Sequence, residues 1–237
     1  MSSKVSIKNL CLSVPDIEHK KTSYSLGLKK NNSIPLLNDI NIDLTEGDTL
    51  GLIGLNGSGK TTFFKCLAGI YENYDGEISI NGTIAPILEL GMGFKQELTG
   101  YENILLVARL MKQEINNDLV LDIIKFSGIG ESIDQKIQYY SSGMLARLSF
   151  SIMSSINSDI LLLDEVFAVG DALFVEKATN KMKDKINKSK IVIMSSHNIK
   201  QIESFCNKVL LLHKGQQIFY GELTKGVEIY KSKYSLG

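Results

Sequence analysis

The chain has 237 residues, which is enough for one large domain with a sizeable buried core. Apolar residues make up 43% of the chain and charged residues 22%, values that exclude the composition of a disordered protein. The 26 Lys and Arg balance the 26 Asp and Glu, so no net charge draws the chain to nucleic acid or acidic lipid.

The apolar stretches are too short to cross a bilayer, since a membrane-spanning helix needs about 20 apolar residues. The first ten residues also lack an apolar core of the length found in secretory signals. We therefore expect a protein that stays in the cytosol. An odd number of widely spaced cysteines without nearby His ligands predicts reduced thiols: Cys11, Cys66 and Cys206.

The N-terminal part of the chain predicts strands separated by a polar segment. Residues 5–14 partly alternate apolar and polar side chains, and residues 41–51 lead into the apolar Leu50, Leu52 and Ile53. Between them, residues 15–35 are polar and rich in Lys, Ser and Asn. This composition predicts a loop or a poorly packed insertion.

The remainder alternates between predicted helices and strands, which indicates an α/β fold interrupted by a helical section. The predicted helices cover residues 60–68, 103–112, 119–126, 144–156 and 227–233. The predicted strands cover residues 76–82, 160–163 and 191–194, and 209–212 with 216–220 form a hairpin. Thr99 and Glu102 fit a capping box before the second helix.

A glycine-rich segment, Gly54-Leu-Asn-Gly-Ser-Gly-Lys-Thr61, matches the pattern G-x-x-x-x-G-K-[ST] between a strand and a helix. Glycines let consecutive N–H groups surround phosphate oxygens at a helix N-terminus, and Lys60 adds a positive charge for the β and γ phosphates. The Thr61 hydroxyl is expected to coordinate Mg²⁺. A glycine-rich turn with an incidental lysine is the alternative. The predicted nucleotide-binding residues are Gly54, Asn56, Gly57, Ser58, Gly59, Lys60, Thr61 and Thr62.

Two acids follow the apolar strand at residues 160–163. A buried parallel strand delivers the residues after it to the edge of the sheet where ligands bind. Asp164 suits a water-mediated contact with Mg²⁺, and Glu165 suits acceptance of a proton from the water that attacks the γ-phosphorus. A solvated strand end is the alternative interpretation.

The segment Tyr140-Ser-Ser-Gly-Met144, followed by Leu-Leu-Leu-Asp-Glu165, resembles the signature loop and the Walker B strand of ABC ATPases. By the same resemblance, Asp171 is the D-loop aspartate and His197 the switch histidine. The resemblance implies an ABC-type P-loop NTPase core with a β subdomain and an inserted α-helical subdomain. We expect a single ABC ATPase domain over residues 1–237, with the helical subdomain at about 95–157.

A closer resemblance, to the ATPases of polysaccharide, O-antigen and teichoic-acid export, is carried by Tyr140-Ser-Ser-Gly-Met144 and Asp164-Glu-Val-Phe-Ala-Val-Gly-Asp-Ala172. Further matches are Leu88-Glu-Leu-Gly-Met-Gly-Phe94 and Glu97-Leu-Thr-Gly-Tyr-Glu-Asn-Ile104. The resemblance implies an ATPase that uses ATP and Mg²⁺ to drive export of a lipid-linked polysaccharide. Its implied partners are a second copy of itself and a separate integral-membrane permease, at the cytoplasmic face of the cell membrane, with no nucleic acid.

In this family the signature loop faces the phosphate loop of a second copy, so Ser141, Ser142 and Gly143 are expected to contact its nucleotide. Ser142 and the Gly143 N–H are expected just before the helix at 144–156, where a helix N-terminus attracts anions. Ser142 replaces the first signature glycine of the family and Met144 its glutamine.

Two family positions stay open. Val14 stands where an aromatic residue usually stacks on adenine, and Tyr24 is a possible substitute. Gln96 is the nearest candidate for the Q-loop glutamine, with Lys95 or Glu89 as alternatives. The surface from Glu89 to Glu102 is expected to receive the permease.

Other functions are compatible with parts of the pattern. The insertion at 15–35 carries Lys20, Lys21, Lys29 and Lys30, which could approach anionic lipid or the cargo, although a solvated loop is the simpler interpretation. The chain could serve another transport system, or be a soluble ABC protein of ribosomes or DNA. A soluble ABC protein of ribosomes or DNA would be expected to contain tandem ATPase domains or long coiled-coil insertions. A nucleotide-gated subunit with negligible hydrolysis is a further alternative.

Overall fold

The structure is a computed structural model of the chain and describes residues 2–15, 33–88, 91, 93–165 and 172–234. These residues belong to two compact units. The first unit comprises Met1–Asn81 and Ile193–Gly237, and the second unit comprises Gly82–Val192. The helical subdomain expected at 95–157 falls entirely within the second unit.

Strands and helices alternate along much of the described chain. In chain order they are β1 (Lys4–Pro15), β2 (Ser33–Thr45), β3 (Thr49–Ile53), α1 (Lys60–Leu67), β4 (Asp75–Asn81), β5 (Ile84–Ile87), α2 (Gly100–Leu110), α3 (Asn117–Ser127), α4 (Ser142–Ser155), β6 (Ile160–Asp164), α5 (Ala172–Lys188), β7 (Ile191–Ser195), α6 (Ile199–Phe205), β8 (Lys208–His213), β9 (Gln216–Glu222) and α7 (Leu223–Tyr234). Two short 3₁₀ turns, Gly130–Asp134 and Ile137–Tyr139, lie between α3 and α4.

The first unit is built on a mixed sheet. β1 pairs antiparallel with both β2 and β4, β8 pairs antiparallel with β9, and β3 pairs parallel with β8. The resulting order is β4-β1-β2-β9-β8-β3. β3 is buried along its last four residues, as expected for a parallel strand covered on both faces, and it leads directly into the glycine-rich segment.

The second unit combines the parallel pair β5 and β6 with helices α2 to α5. Asp159, just before β6, accepts hydrogen bonds from the N–H and the hydroxyl of Thr83 at 3.0 and 2.9 Å. Its carboxylate also lies 2.8 Å from the Lys190 ammonium. The hydrogen bonds from Lys190 and Thr83 lower the pKa of Asp159 to about 2. This carboxylate therefore ties the starts of β5, β6 and β7 together.

Aromatic rings join α3, α4 and α5. The ring centroids of Phe126, Phe150 and Phe174 lie 5.6 to 6.2 Å apart. Such pairs contribute about 0.5–1.5 kcal/mol beyond their burial. The three helices are thus packed around one aromatic cluster.

Two lysines of α5 cover the carboxyl end of α4. The Lys185 ammonium donates to the carbonyls of Ser154 and Ile156, and the Lys181 ammonium donates to the Ser155 hydroxyl oxygen at 3.1 Å. Lys181 also lies 4.1 Å from the centroid of the Phe126 ring. Cations at a helix carboxyl end satisfy its last carbonyls and interact favourably with the helix dipole.

The predicted strands and helices are confirmed, with differences at particular places. The expected strand region at 41–51 is two strands, β2 and β3, separated by a turn at 46–48, and β2 begins inside the expected polar insertion, at Ser33. The capping box of Thr99 and Glu102 is confirmed, with hydrogen bonds in both directions. Three elements, β5, α5 and α6, were not predicted from the sequence.

Two of the three missed elements are short. β5 has four residues and includes Pro86, and α6 has seven residues. α5 has a readable signal, because its buried side chains recur every fourth residue: Phe174, Ala178, Met182 and Ile186. Among the helices formed by the described residues, none has the length and apolar character needed to span a bilayer.

We predict that Lys185→Met removes a pH-dependent part of the stability. Burial, and then the nearby Lys181 charge, lower the pKa of Lys185 from 10.5 to about 8. Between these values the unfolded chain binds more protons, so this lysine makes the free energy of unfolding rise with pH, by at most about 1.4 kcal/mol per unit.

Urea denaturation at pH 7, 8, 9 and 10 measures the effect as the free energy of unfolding of the wild type minus that of the variant. This difference should grow above pH 8. Lys183→Met replaces an exposed lysine of the same helix and should give a constant difference. A constant difference for Lys185→Met would contradict the described burial of its ammonium.

Candidate functional site

The glycine-rich segment from Gly54 to Thr61, here called the phosphate loop, connects β3 to α1 in the first unit. β3 ends at Ile53 and α1 begins at Lys60, so the predicted strand, loop and helix are all present. Three glycines of the loop have positive φ, at 153° for Gly54, 75° for Gly57 and 104° for Gly59. Residues with a Cβ rarely adopt this backbone conformation.

The N-terminus of α1 is suited to an anion. Gly59 is its N-cap in the left-handed conformation, and within the described residues no side chain caps the helix. The first-turn N–H groups of a helix have no partner inside the helix, and the helix dipole favours negative charge there. A phosphate group would satisfy both requirements.

Lys60 closes the phosphate loop from within. Its side chain is only 7% exposed, and the ammonium donates to the Gly54 carbonyl at 2.9 Å and the Leu55 carbonyl at 3.3 Å. A buried charge is costly unless it is paired and hydrogen-bonded. The structure therefore holds a positive charge inside the loop, where it can meet a phosphate oxygen.

The remaining loop side chains differ in their exposure. Asn56 and Thr61 are exposed, Thr62 is half-buried, and Ser58 is buried. The Ser58 hydroxyl oxygen is one of the few buried side-chain oxygens in the described part of the chain without a hydrogen-bond partner. The backbone amides, the enclosed ammonium and the accessible Thr61 hydroxyl together fit a polyphosphate chain with a divalent cation.

His197 also belongs to the first unit and is exposed. It follows β7, the strand next to β3 in the sheet order, and precedes α6, whose N-cap is Asn198. His197 borders an open cavity of about 550 Å³, and the other residues lining it are Asn198, Ile199, Lys200, Glu203 and Lys231. An accessible imidazole at this position can contact a ligand.

The two predicted acids lie in the second unit, at the end of β6. Residues 160–163 are buried, Asp164 is half-buried and Glu165 is exposed. Glu165 has a φ of 57°, which is uncommon for a residue other than glycine, and backbone strain of this kind is enriched at functional sites. The strand end thus presents one carboxylate to solvent and holds the other partly enclosed.

The predicted signature loop starts α4, but the helix begins earlier than expected. Ser142 and Gly143 form its first turn rather than preceding it, and Ser141 is the N-cap, accepting a hydrogen bond from the Met144 N–H at 3.2 Å. Two adjacent serines made the cap position ambiguous in sequence. Ser141 has the extended backbone of an N-cap, with φ −66° and ψ 159°.

The helix N-terminus of α4 remains suited to an anion. Its first turn contains no acidic residue, and Ser141 and Ser142 are exposed. The cap occupies the Met144 N–H, while the amides of Ser142 and Gly143 have no partner inside the helix.

The sequence analysis gave no role to Asn103, which organises the loop that contains Lys95 and Gln96. Asn103 is fully buried; its Oδ1 accepts from the Lys95 N–H at 2.8 Å, and its amide donates to the carbonyls of Lys95 and Thr99 at 3.1 and 2.8 Å. Lys95 and Gln96 are both exposed. An amide on the buried face of an amphipathic helix was the available signal.

Several predicted positions lie outside the described residues, namely Asp171, Tyr24, Glu89 and the lysines at 20, 21, 29 and 30. Val14, which stands where the family usually has the adenine-stacking aromatic residue, is half-buried in β1 and pairs with Ile34 of β2. Residues 2–15, 33–88, 91, 93–165 and 172–234 contain no cluster of three or more His, Cys, Asp or Glu side chains that could hold a metal. A cation held by Thr61 or Asp164 would therefore need oxygens from water or a ligand.

Comparison with known proteins identifies related sequences. The family model described as "ABC transporter" matches residues 37–168. The teichoic acids export ATP-binding protein TagH of Listeria innocua is 39% identical, over 91% of this chain and 66% of the relative. TagH of Enterococcus faecalis is 38% identical, over 97% of this chain and 52% of the relative. The chain thus spans about half to two thirds of the length of these TagH relatives.

A shorter relative is covered more fully. The O-antigen export system ATP-binding protein RfbB of Klebsiella pneumoniae is 37% identical, over 91% of this chain and 87% of the relative. Two solved structures have the same fold, each at 20% sequence identity. One is a dimeric ATP-binding cassette in a post-hydrolysis state with ADP and Pi, with a TM-score of 0.70 over 92% of this chain and 98% of that chain.

The other solved structure is the ATP-binding subunit of an ABC transporter, with a TM-score of 0.72 over 95% of this chain and 92% of that chain. These matches confirm the predicted α/β fold of the ABC type.

We predict that Gly54→Ala is more harmful than Gly57→Ala. Both positions have positive φ, but a Cβ at Gly54 would collide with the Leu212 carbonyl oxygen and lie 2.5 Å from the Ser58 Oγ, whereas a Cβ at Gly57 meets nothing within 4 Å. The clash should lower the free energy of unfolding by about 1–3 kcal/mol beyond the loss in Gly57→Ala. Urea denaturation of both variants measures it, and equal losses would contradict the close approach of Leu212.

Proposed function

We propose that this chain, which belongs to the ABC transporter family, binds and hydrolyses Mg·ATP to power export of a lipid-linked polysaccharide. The observation that carries the proposal is the phosphate loop. It combines glycines with positive φ, a helix N-terminus that no described side chain caps, and a buried ammonium held by two loop carbonyls.

Nucleotide binding is assigned to the phosphate loop. The loop amides and the Lys60 ammonium would hold the phosphates, with Asn56 and Gly57 at the loop surface and the half-buried Thr62 in the first turn of α1. Thr61 and Asp164 are the proposed ligands of Mg²⁺, Asp164 through water. A bound Mg²⁺ would neutralise part of the phosphate charge.

Hydrolysis is assigned to Glu165 with help from His197. The Glu165 carboxylate would accept a proton from water as the water oxygen bonds to the γ-phosphorus and the bond to the β–γ bridging oxygen breaks. His197 would donate a hydrogen bond to the γ-phosphate. Both side chains are exposed in their respective units and thus accessible to a ligand.

A second copy of the chain is the proposed partner at the signature loop. The N-terminus of α4, formed by Ser141, Ser142 and Gly143, is suited to a phosphate. The phosphate loop of the same chain already has a helix N-terminus for its own nucleotide, that of α1. Two copies would then enclose two nucleotides, with Asp171 and Gln96 as further proposed nucleotide-binding residues. The solved relative that contains ADP and Pi is itself described as dimeric.

The transport role is proposed from the relatives. TagH and RfbB are named as ATP-binding proteins of teichoic acid export and O-antigen export. We propose a lipid-linked glycan as cargo and an integral-membrane permease as the docking partner. The chain would then work at the cytoplasmic face of the cell membrane, with the segment 89–102 facing the permease.

We predict that Glu165→Gln separates binding from hydrolysis. Loss of the proton acceptor should lower phosphate release at least about 100-fold. Binding of Mg·ATP should persist, and the variant should elute as a dimer with ATP in size-exclusion chromatography. Lys60→Ala should instead lose nucleotide binding, because the buried charge in the loop is removed.

Glu131→Gln, which replaces an exposed acid of the second unit, is the matched control and should hydrolyse ATP at the wild-type rate. Phosphate release that is negligible in wild type and Glu165→Gln alike would favour the nucleotide-gated alternative. Failure of the wild type to bind Mg·ATP would exclude the proposal.

We predict that cells in which every copy of this protein carries Glu165→Gln retain the glycan inside the cell. Hydrolysis is expected to reopen the dimer that encloses the nucleotides. A subunit that cannot hydrolyse ATP should therefore stop export and leave lipid-linked precursor at the cytoplasmic face. Surface staining and analysis of extracted lipid-linked glycan measure both. Normal surface glycan in these cells, with Glu131→Gln cells as the reference, would exclude the export role.

A further inference from the structure

The last residue of β8 and the two turn residues after it, 213–215, are here called the β8–β9 turn, and they contact the phosphate loop inside the first unit. The Gly215 N–H donates to the Ser58 carbonyl at 2.9 Å. A Cβ on Gly59 would lie 3.5 Å from the Gly215 Cα, and a Cβ on Gly54 would collide with the Leu212 carbonyl oxygen. Three residues of the phosphate loop thus lie against this turn and the strand before it.

The same turn is held by the last residue of α7. The Tyr234 hydroxyl and the His213 Nδ1 are 2.7 Å apart and share a hydrogen bond, and the two rings pack with centroids 5.6 Å apart. Tyr230, one helical turn earlier, packs its ring 5.3 Å from that of Tyr234. The end of α7 and the β8–β9 turn are therefore connected by one side-chain hydrogen bond.

The middle of α7 is fixed independently. Gly226 is buried, and a Cβ there would collide with the Val209 side chain and lie 2.9 Å from the Phe219 ring. This close packing anchors α7 on β8 and β9 without the Tyr234 hydroxyl. Removing that hydroxyl should loosen the His213 end of the turn while leaving the helix in place, because the Asn38 N–H still donates to the Gly215 carbonyl at 2.8 Å.

The Ser58 carbonyl has a direct geometrical link to phosphate binding. It shares one planar trans peptide unit with the Gly59 N–H, so the two groups point in opposite directions. Fixing the carbonyl toward Gly215 aims the Gly59 N–H away from the turn. The Gly59 N–H stands at the N-cap of α1, where a bound phosphate would be expected.

We propose that His213 is a positioning residue for the phosphate loop. Its hydrogen bond with Tyr234 acts together with the contact from Asn38 to hold the β8–β9 turn against Ser58. It thereby helps to orient the Gly59 amide and to set the affinity for the nucleotide phosphates. Changes in the last turn of α7 that break this hydrogen bond would then change the nucleotide affinity. This proposal rests on the proposed ATP binding and adds to it a control element remote from the loop.

The test compares Tyr234→Phe, which removes only the hydroxyl, with the control Tyr230→Phe. Losing one hydrogen bond should raise the dissociation constant for Mg·ATP about threefold to tenfold in Tyr234→Phe, against less than about twofold in Tyr230→Phe. KM for ATP should rise with it while kcat at saturating ATP stays within about twofold, because Glu165 and His197 are untouched. In the nucleotide-free protein, hydrogen exchange of the Gly215 amide should accelerate only in Tyr234→Phe.

His213→Ala should show the same shift, and the double variant should show no more than either single one, since both changes remove one interaction. Unchanged affinity and unchanged Gly215 exchange in Tyr234→Phe would overturn the proposal, as would equal effects of Tyr230→Phe. The hydrogen-exchange readout needs no nucleotide. Faster Gly215 exchange in a protein that binds no Mg·ATP would therefore refute the proposed function and retain the link between α7 and the loop.

Discussion

The hydrogen bonds from the Lys60 ammonium to the carbonyls of Gly54 and Leu55 are the constraint on which the site depends. They bring the start and the end of the phosphate loop together, and they hold a charged group where it is only 7% exposed. Such a charge is tolerated because carbonyl oxygens pair with it, and an anion would pair with it further. The glycines follow from this arrangement, because a loop closed so tightly requires positive φ and has no room for a Cβ at Gly54.

The second unit positions its predicted functional groups by different means. A buried strand carries Asp164 and Glu165, and Glu165 takes a left-handed backbone conformation where the strand ends. Helix α4 is held at both ends, by the Ser141 cap at its N-terminus and by the lysines of α5 at its carboxyl end. A helix fixed at both ends keeps its exposed first turn, the predicted signature loop, in a defined position.

Most strands and helices could be predicted because their signals are local. The phosphate loop, the capping box of Thr99 and the apolar strands before Asp164 and before Ser195 depend on neighbouring residues in the chain. The start of α4 could not be placed, because Ser141 and Ser142 have equal capping ability and only the packed helix selects between them. β5 was missed because four residues carry too little periodicity; in α5 the spacing of Phe174, Ala178, Met182 and Ile186 was readable.

The sequence by itself determined the chemistry of the chain: a phosphate loop, two acids after a buried strand, and the order of motifs that indicates the family. These are runs of adjacent residues, and their spacing is covalent. Only the tertiary structure decided which distant residues meet, such as Gly215 against Ser58 and Tyr234 against His213. Hydrogen bonds between residues far apart in the chain form only after the sheet and helices have packed, and no local pattern encodes them.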